Sequence, residues 1–171
     1  MTITIPGIRA AIMSALITLA GNGAGLPAAS FLSDIPEQML HEQQGWGVLG
    51  MDTCVHAPDK SPMPMRIGGT TCAKGLGAHA PSEIIYHLGG RYSRFTCLAG
   101  AAEGGGSVVF QVFGDDRKLF DSGTLHGLSE VHRLDLPVDG VQKLRLIVTD
   151  AGDGYIHDMA NWANPRLLRG Q

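Results

Sequence analysis

The sequence predicts an all-β protein, an antiparallel β-sandwich, and three observations carry that expectation. Glycine, proline and aspartate punctuate the chain at short intervals. Between them lie short runs rich in β-branched and aromatic residues, of which residues 107–113 (SVVFQVF) are the clearest. No convincing helical periodicity appears among these runs. About nine short strands joined by tight turns, without helices, are accommodated by two packed antiparallel sheets.

Residues 1–29 stand apart from the rest. Arg9 is the one charge before Asp34, and an apolar run, residues 10–20 (AAIMSALITLA), follows it. Small residues then lead to Ala28 and Ala29. This order predicts a signal peptide over 1–29, cleaved between about residues 20 and 30. The run is short of the about 20 apolar residues of a membrane span, so a retained anchor is the lesser reading. The expectation is export to a secreted or periplasmic location, with no membrane insertion after cleavage, and one domain over 30–171.

Within that domain, residues 31–35 read as a first strand ended by Pro36, and residues 37–44 as a polar connector. Residues 46–51 (WGVLGM) read as a second strand, which makes Trp46 a core residue. Three prolines between residues 56 and 65 make a loop. The glycine-dense stretch that follows holds His79 and an Ala80-Pro81-Ser82 turn, and is read as a shaped loop. Glycine at that density opposes helix at about 1 kcal/mol per residue. A buried strand at residues 84–88 follows, closed by Gly89-Gly90.

Residues 94–98 alternate as a strand, and residues 103–106 form a flexible turn. Residues 114–117 (GDDR) turn the strand at 107–113 back into residues 118–120, a hairpin signature. Strands at 131–136, 141–149 and 162–168 complete the chain. First and last strands often pair in such folds, which would set residues 31–35 beside 162–168.

Composition narrows the function. With 44% hydrophobic and 17% charged residues the chain is a folded protein rather than a disordered one. The net charge of −3 gives no basic face for nucleic acid. Lysines and arginines are scattered singly, so a polybasic membrane patch is also absent. Three cysteines leave one unpaired, with Cys97 a small buried hydrophobe; Cys54 could pair with Cys72, but the pairing is not the favoured reading. Enzyme readings fail locally. Ser82 lies three residues from His79 without a G-x-S-x-G elbow. Asp115 and Asp116 sit at a hairpin tip, whereas glycoside hydrolysis needs two carboxyls facing across a cleft.

One long set of motifs resembles a known family. These are FLSD at 31–34, KGLGAHAPSEI at 74–84, LGG at 88–90 with Phe95, VVFQVF at 108–113, DSG at 121–123, LRLIVTDAGDG at 144–154 and WANPRL at 162–167. In this order they are similar to the NPCBM domain, a carbohydrate-binding module found on bacterial glycoside hydrolases such as the family 98 enzymes. The resemblance covers nearly all of residues 31–167. It implies a jelly-roll β-sandwich that binds glycans non-catalytically, with galactose-type terminal sugars as ligands and a structural calcium ion as cofactor. The chain departs from the family where a D-H-x-D-W run is usual, because Met159 and Asn161 stand in place of a histidine and a carboxylate. Those departures support a second reading, a structural or adhesion sandwich that has lost sugar binding.

Under the resemblance, candidate ligand-binding residues are His79, Ser82, Glu83, Asn161 and Trp162. An imidazole donates to or accepts from a sugar hydroxyl, and an indole presents an apolar face to a pyranose. The bland alternatives are a histidine satisfied by its own loop and a tryptophan in the core. Asp150, Asp153 and Asp158 read by themselves as turn formers. With the family they become calcium ligands, since calcium takes six to eight oxygens. Asp34 and Asp52 are further candidates for the same end of the sandwich.

Overall fold

A computed structural model describes residues 28–102, 106–127 and 131–170. Most of the predicted signal peptide, and Glu103 to Gly105 of the predicted turn, lie outside the described residues. In chain order the strands are β1 (Ala29–Phe31), β2 (Met39–Gln43), β3 (Gly50–Met51), β4 (Met65–Ile67) and β5 (Thr70–Cys72). Then come β6 (Gly75–His79), β7 (Ser82–His87), β8 (Arg94–Ala101) and β9 (Ser107–Gly114). The last four are β10 (Arg117–His126), β11 (His132–Pro137), β12 (Lys143–Thr149) and β13 (Met159–Leu168). The helical content of the described residues is two single 3₁₀ turns, Leu32–Asp34 and Pro36–Gln38.

The strands form two main antiparallel sheets. One runs β11-β8-β13-β6-β3, with β1 added to β13. The other runs β10-β9-β12-β7-β2, and β4 with β5 makes a separate hairpin. Alternation places Phe95, Cys97 and Ala99 of β8, Phe110 and Val112 of β9, and Leu144 and Leu146 of β12 in the space between the sheets. Trp162 and Tyr86 complete that core, and the Tyr86 hydroxyl donates to the Leu32 carbonyl at 3.0 Å. The predicted antiparallel β-sandwich is therefore the observed fold. The chain ends do pair, but through residues 29–31 rather than 31–35, with Ala29 opposite Leu168 and Phe31 opposite Arg166.

Four elements differ from the sequence reading. Of the predicted first strand at 31–35 only Phe31 is in a strand, and Leu32–Asp34 form a 3₁₀ turn. The polar connector contains β2, which is the edge strand of its sheet and is largely exposed, so its sequence carries no buried face. Only Gly50 and Met51 of the predicted strand at 46–51 are in a ladder. The glycine-dense stretch is not a loop at its centre: β6 is an interior strand with all five residues buried. Glycine is needed there because backbone crosses directly over the sheet. A Cβ on Gly77 would lie 2.4 Å from the Thr53 carbonyl oxygen.

Cys54, Cys72 and Cys97 are buried free thiols. Among the described residues no helix is long and apolar enough to cross a membrane.

Candidate ligand-binding site

His79 ends β6 and is gripped by the segment that follows β2. The Gln44 side-chain oxygen accepts from the His79 backbone N–H at 2.9 Å, and the Gly45 N–H donates to the His79 carbonyl at 3.1 Å. Gly45 has no space for a side chain, since a Cβ would fall 2.1 Å from the Ala80 oxygen. This close approach swings Trp46 out of the fold. Its side chain is 48% exposed, and its ring centroid lies 5.6 Å from that of His79 at a tilt of 53°. The His79 Nδ1 is 2.7 Å from the Ala80 carbonyl, which only accepts, so Nδ1 carries the proton and a neutral ring keeps Nε2 as an acceptor.

The second wall comes from the loop between β12 and β13. Asp150 caps its start, accepting from the Gly152 N–H at 3.1 Å, and the Asp158 carbonyl accepts from the Ala80 N–H at 2.9 Å. The His157 carbonyl accepts from both Gly106 and Met159, each at 2.7 Å. These bonds hold Tyr155 and Ile156 outward, 57% and 77% exposed. Trp46, His79, Tyr155, Ile156, His157 and Met159 line an open depression of about 460 Å³. Its wall is mostly apolar, with imidazole and phenol groups as its polar points and no carboxylate among the lining residues.

The predicted site residues are dispersed by the fold. His79 is in the depression. Ser82 is buried at the start of β7 with its hydroxyl unpartnered. Glu83 lies on the outer face of the five-stranded sheet, accepting from Arg145 Nε at 2.8 Å. Asn161 is fully buried under β4, donating to the Arg66 carbonyl at 2.8 Å. Trp162 is a correction: it is fully buried, edge-on to Phe110 with centroids 4.8 Å apart, and offers no face to a ligand. Trp46, read from sequence as core, is the exposed indole. The signal for it was present in Gln43-Gln44-Gly45-Trp46-Gly47, where a lone aromatic sits between two glycines after a polar run.

The aspartates share one end of the molecule without closing around a point. Among the described residues, no group of three or more His, Cys, Asp or Glu side chains is placed to hold a metal ion. Asp153 is exposed and accepts from the Ser107 hydroxyl. Asp158 is buried, and one of its carboxylate oxygens has no partner. Burial pushes its carboxyl above the usual carboxylate range; the charge of Asp153 adds to this and His79 opposes it. Asp34 and Asp52 are engaged elsewhere, both paired with Lys74, at 2.5 and 2.8 Å. Asp115 caps the Gln142 and Lys143 N–H groups, at 3.1 and 2.9 Å.

A family model described as the NPCBM/NEW2 domain matches residues 28–168. The chain belongs to the NPCBM/NEW2 domain family. A Renibacterium salmoninarum protein that carries the provisional name endo-alpha-N-acetylgalactosaminidase is 33% identical over 129 residues. That match takes in 72% of this chain, which spans only 8% of the length of the relative. Among solved structures, this NPCBM/NEW2 domain is similar to CBM51 from Clostridium perfringens GH95 in complex with methyl-galactose. The TM-score is 0.71 at 27% identity, over 81% of this chain and 99% of that one. It is also similar to the structure of CBM51-2 in complex with GlcNAc and INT domains from Clostridium perfringens ZmpB. There the TM-score is 0.74 at 26% identity, over 82% of this chain and 31% of that one. The NPCBM/NEW2 domain described here therefore has the fold of a carbohydrate-binding module.

Proposed function

We propose that this NPCBM/NEW2 domain binds carbohydrate without cleaving it, in the depression between Trp46, His79 and residues 155–157, and that its ligand is a galactose-type terminal sugar. The observation that carries this reading is the exposed indole of Trp46 held beside His79. An indole packs on the C–H face of a pyranose, and the imidazole Nε2 accepts from a hydroxyl at the ring edge. With no carboxylate pair in the lining, the site lacks the acid and base that glycoside hydrolysis requires. Galactose preference is supported by the methyl-galactose complex of one relative, while the GlcNAc complex of another makes the contrast worth measuring. A glycan array of the full chain, followed by calorimetry with methyl galactoside and N-acetylglucosamine, tests it. Silence on every galactose-, GalNAc- and fucose-bearing glycan would leave the structural or adhesion reading, which the apolar Met159 favours. Export to a secreted or periplasmic location belongs to the same proposal, since glycans of this kind are met outside the cell.

The reading includes a structural calcium ion held through Asp158. One observation supports it: a buried carboxylate oxygen of Asp158 lacks a partner, although Asp150 and Asp153 do not converge on it. Calcium bound there would neutralise a charge that is costly to bury. The metal-free sign follows from the raised pKa. The folded state binds the Asp158 proton more tightly than the unfolded state, so stability falls as pH rises from the ordinary carboxylate value through the raised one. Adding calcium above that window is expected to raise Tm, and a chelator to reverse the rise. Asp158→Asn is expected to stabilise the chelated domain by about 1 kcal/mol, because it removes an unpaired buried charge, and to abolish the response to calcium. Equal melting curves with calcium and with chelator would remove the ion from the proposal.

A further inference from the structure

We infer that the outer face of the six-stranded sheet carries an oxyanion site, apart from the Trp46 depression, built on Arg133 and Arg166 and suited to a sulfate ester on a glycan. That the carrier is a glycan rests on the carbohydrate reading above; the anion site itself does not.

A bulge shapes this site. Between Ala163 and Arg166 the chain takes three steps along β13 against two along β8, since Ala163 faces Leu98 and Arg166 faces Thr96. The extra residue bends the strand, and Asn164 enters the left-handed region at a φ of 50°. Beside the bulge lies a depression of about 340 Å³ whose lining includes Thr96, Arg133, Asn164 and Arg166.

The lining offers hydrogen-bond donors and positive charge. Two guanidiniums, an amide and a hydroxyl face the depression, and no carboxylate is among the lining residues. Arg166 is held in place, with its Cζ 4.5 Å from the centre of the Phe31 ring, its neighbour across β1 and β13. Stacking uses the flat face of a guanidinium and leaves its edge N–H groups to donate.

The charge is unmatched from within the chain. The net charge is −3, and Lys74, Arg94, Lys118 and Arg145 each pair with a carboxylate. Asp135 lies on this same sheet face, opposite Thr96, but Arg94 holds it at 2.7 Å. Among the described residues Arg133 has no hydrogen-bond, ion-pair or ring partner, and Arg166 has the Phe31 ring alone. With acid in excess, two guanidiniums left to face one depression mark it as a place for an outside anion. A sulfate ester has three terminal oxygens, enough to accept from both guanidinium forks at once, whereas one fork alone takes up the two oxygens of a carboxylate.

Calorimetry on the full chain at low salt tests this with a sulfated galactan oligosaccharide, its desulfated counterpart, lactose and sialyl-lactose. The sulfated form is expected to bind about tenfold tighter than the desulfated one, with the gain shrinking as salt is raised. Arg133→Gln combined with Arg166→Gln, both at exposed positions, is expected to remove the gain. Asn164→Asp, which keeps the side-chain shape and tolerates the left-handed backbone, is expected to do the same by placing a carboxylate in the lining. Arg117→Gln, which removes one cation at the exposed start of β10 in the other sheet, is expected to leave the gain intact. Equal affinity for the sulfated and desulfated forms overturns the site, as does a gain that survives the paired arginine variant or falls equally in Arg117→Gln. A gain for sialyl-lactose over lactose without one for sulfation overturns the choice of sulfate. If the desulfated form fails to bind while the sulfated form binds through the two arginines, the anion site stands and the Trp46 reading falls.

Discussion

Replacing Trp162 with alanine is expected to cost the domain about 4 kcal/mol, a large fraction of the about 5–15 kcal/mol that holds a domain together. The indole is fully buried on β13, the strand flanked by β6 and β8 in the six-stranded sheet, and it meets the Phe110 ring of the opposite sheet edge-on. Its removal leaves a cavity across both layers and forfeits an aromatic pair worth about 1 kcal/mol beyond the area it buries. The indole N–H has no partner, so the loss is one of packing and not of a hydrogen bond. Urea denaturation followed by circular dichroism measures it. A loss below about 1 kcal/mol would contradict the placement of this side chain in the core.

Replacing Trp46 with alanine is expected to do the opposite, leaving stability within about 0.5 kcal/mol and weakening sugar binding by about thirtyfold or more. The side chain is half exposed and belongs to neither sheet, so little packing is lost. Its loss removes the flat apolar wall facing His79, the contact that the proposed reading gives to a pyranose. Calorimetry with the best glycan from the array measures the affinity, and the melting curve reports the fold. Unchanged affinity would place the site elsewhere on the surface. The two tryptophans thus separate a structural role from a binding one in a single pair of variants.

That contrast also shows how far the residues could be read before folding. Trp46 and Trp162 each open a predicted strand, and a tryptophan in that position looks the same whether its face turns inward or outward. Which way it turns was decided by Gly45, where the backbone passes so close to Ala80 that the next side chain is pushed outward. Glu83 and Ser82 lie within a few residues of His79, yet a strand sends them to opposite faces of a sheet that does not reach the depression. Tyr155, Ile156 and His157 carry no motif; they are brought to His79 because β13 pairs with β6, Met159 opposite His79, and the Asp158 carbonyl accepts from the Ala80 N–H.

By itself the sequence determined the all-β class, the antiparallel sandwich and the family, because alternation, turn residues and motif order are local properties that survive without coordinates. The tertiary structure alone decided that β6 is a buried strand rather than a loop, that Trp46 and not Trp162 faces solvent, and that Met159 and not Asn161 lines the depression beside His79. Those outcomes depend on which backbone crosses over which glycine, and on contacts between residues tens to over a hundred positions apart, distances along the chain at which side-chain periodicity carries no information.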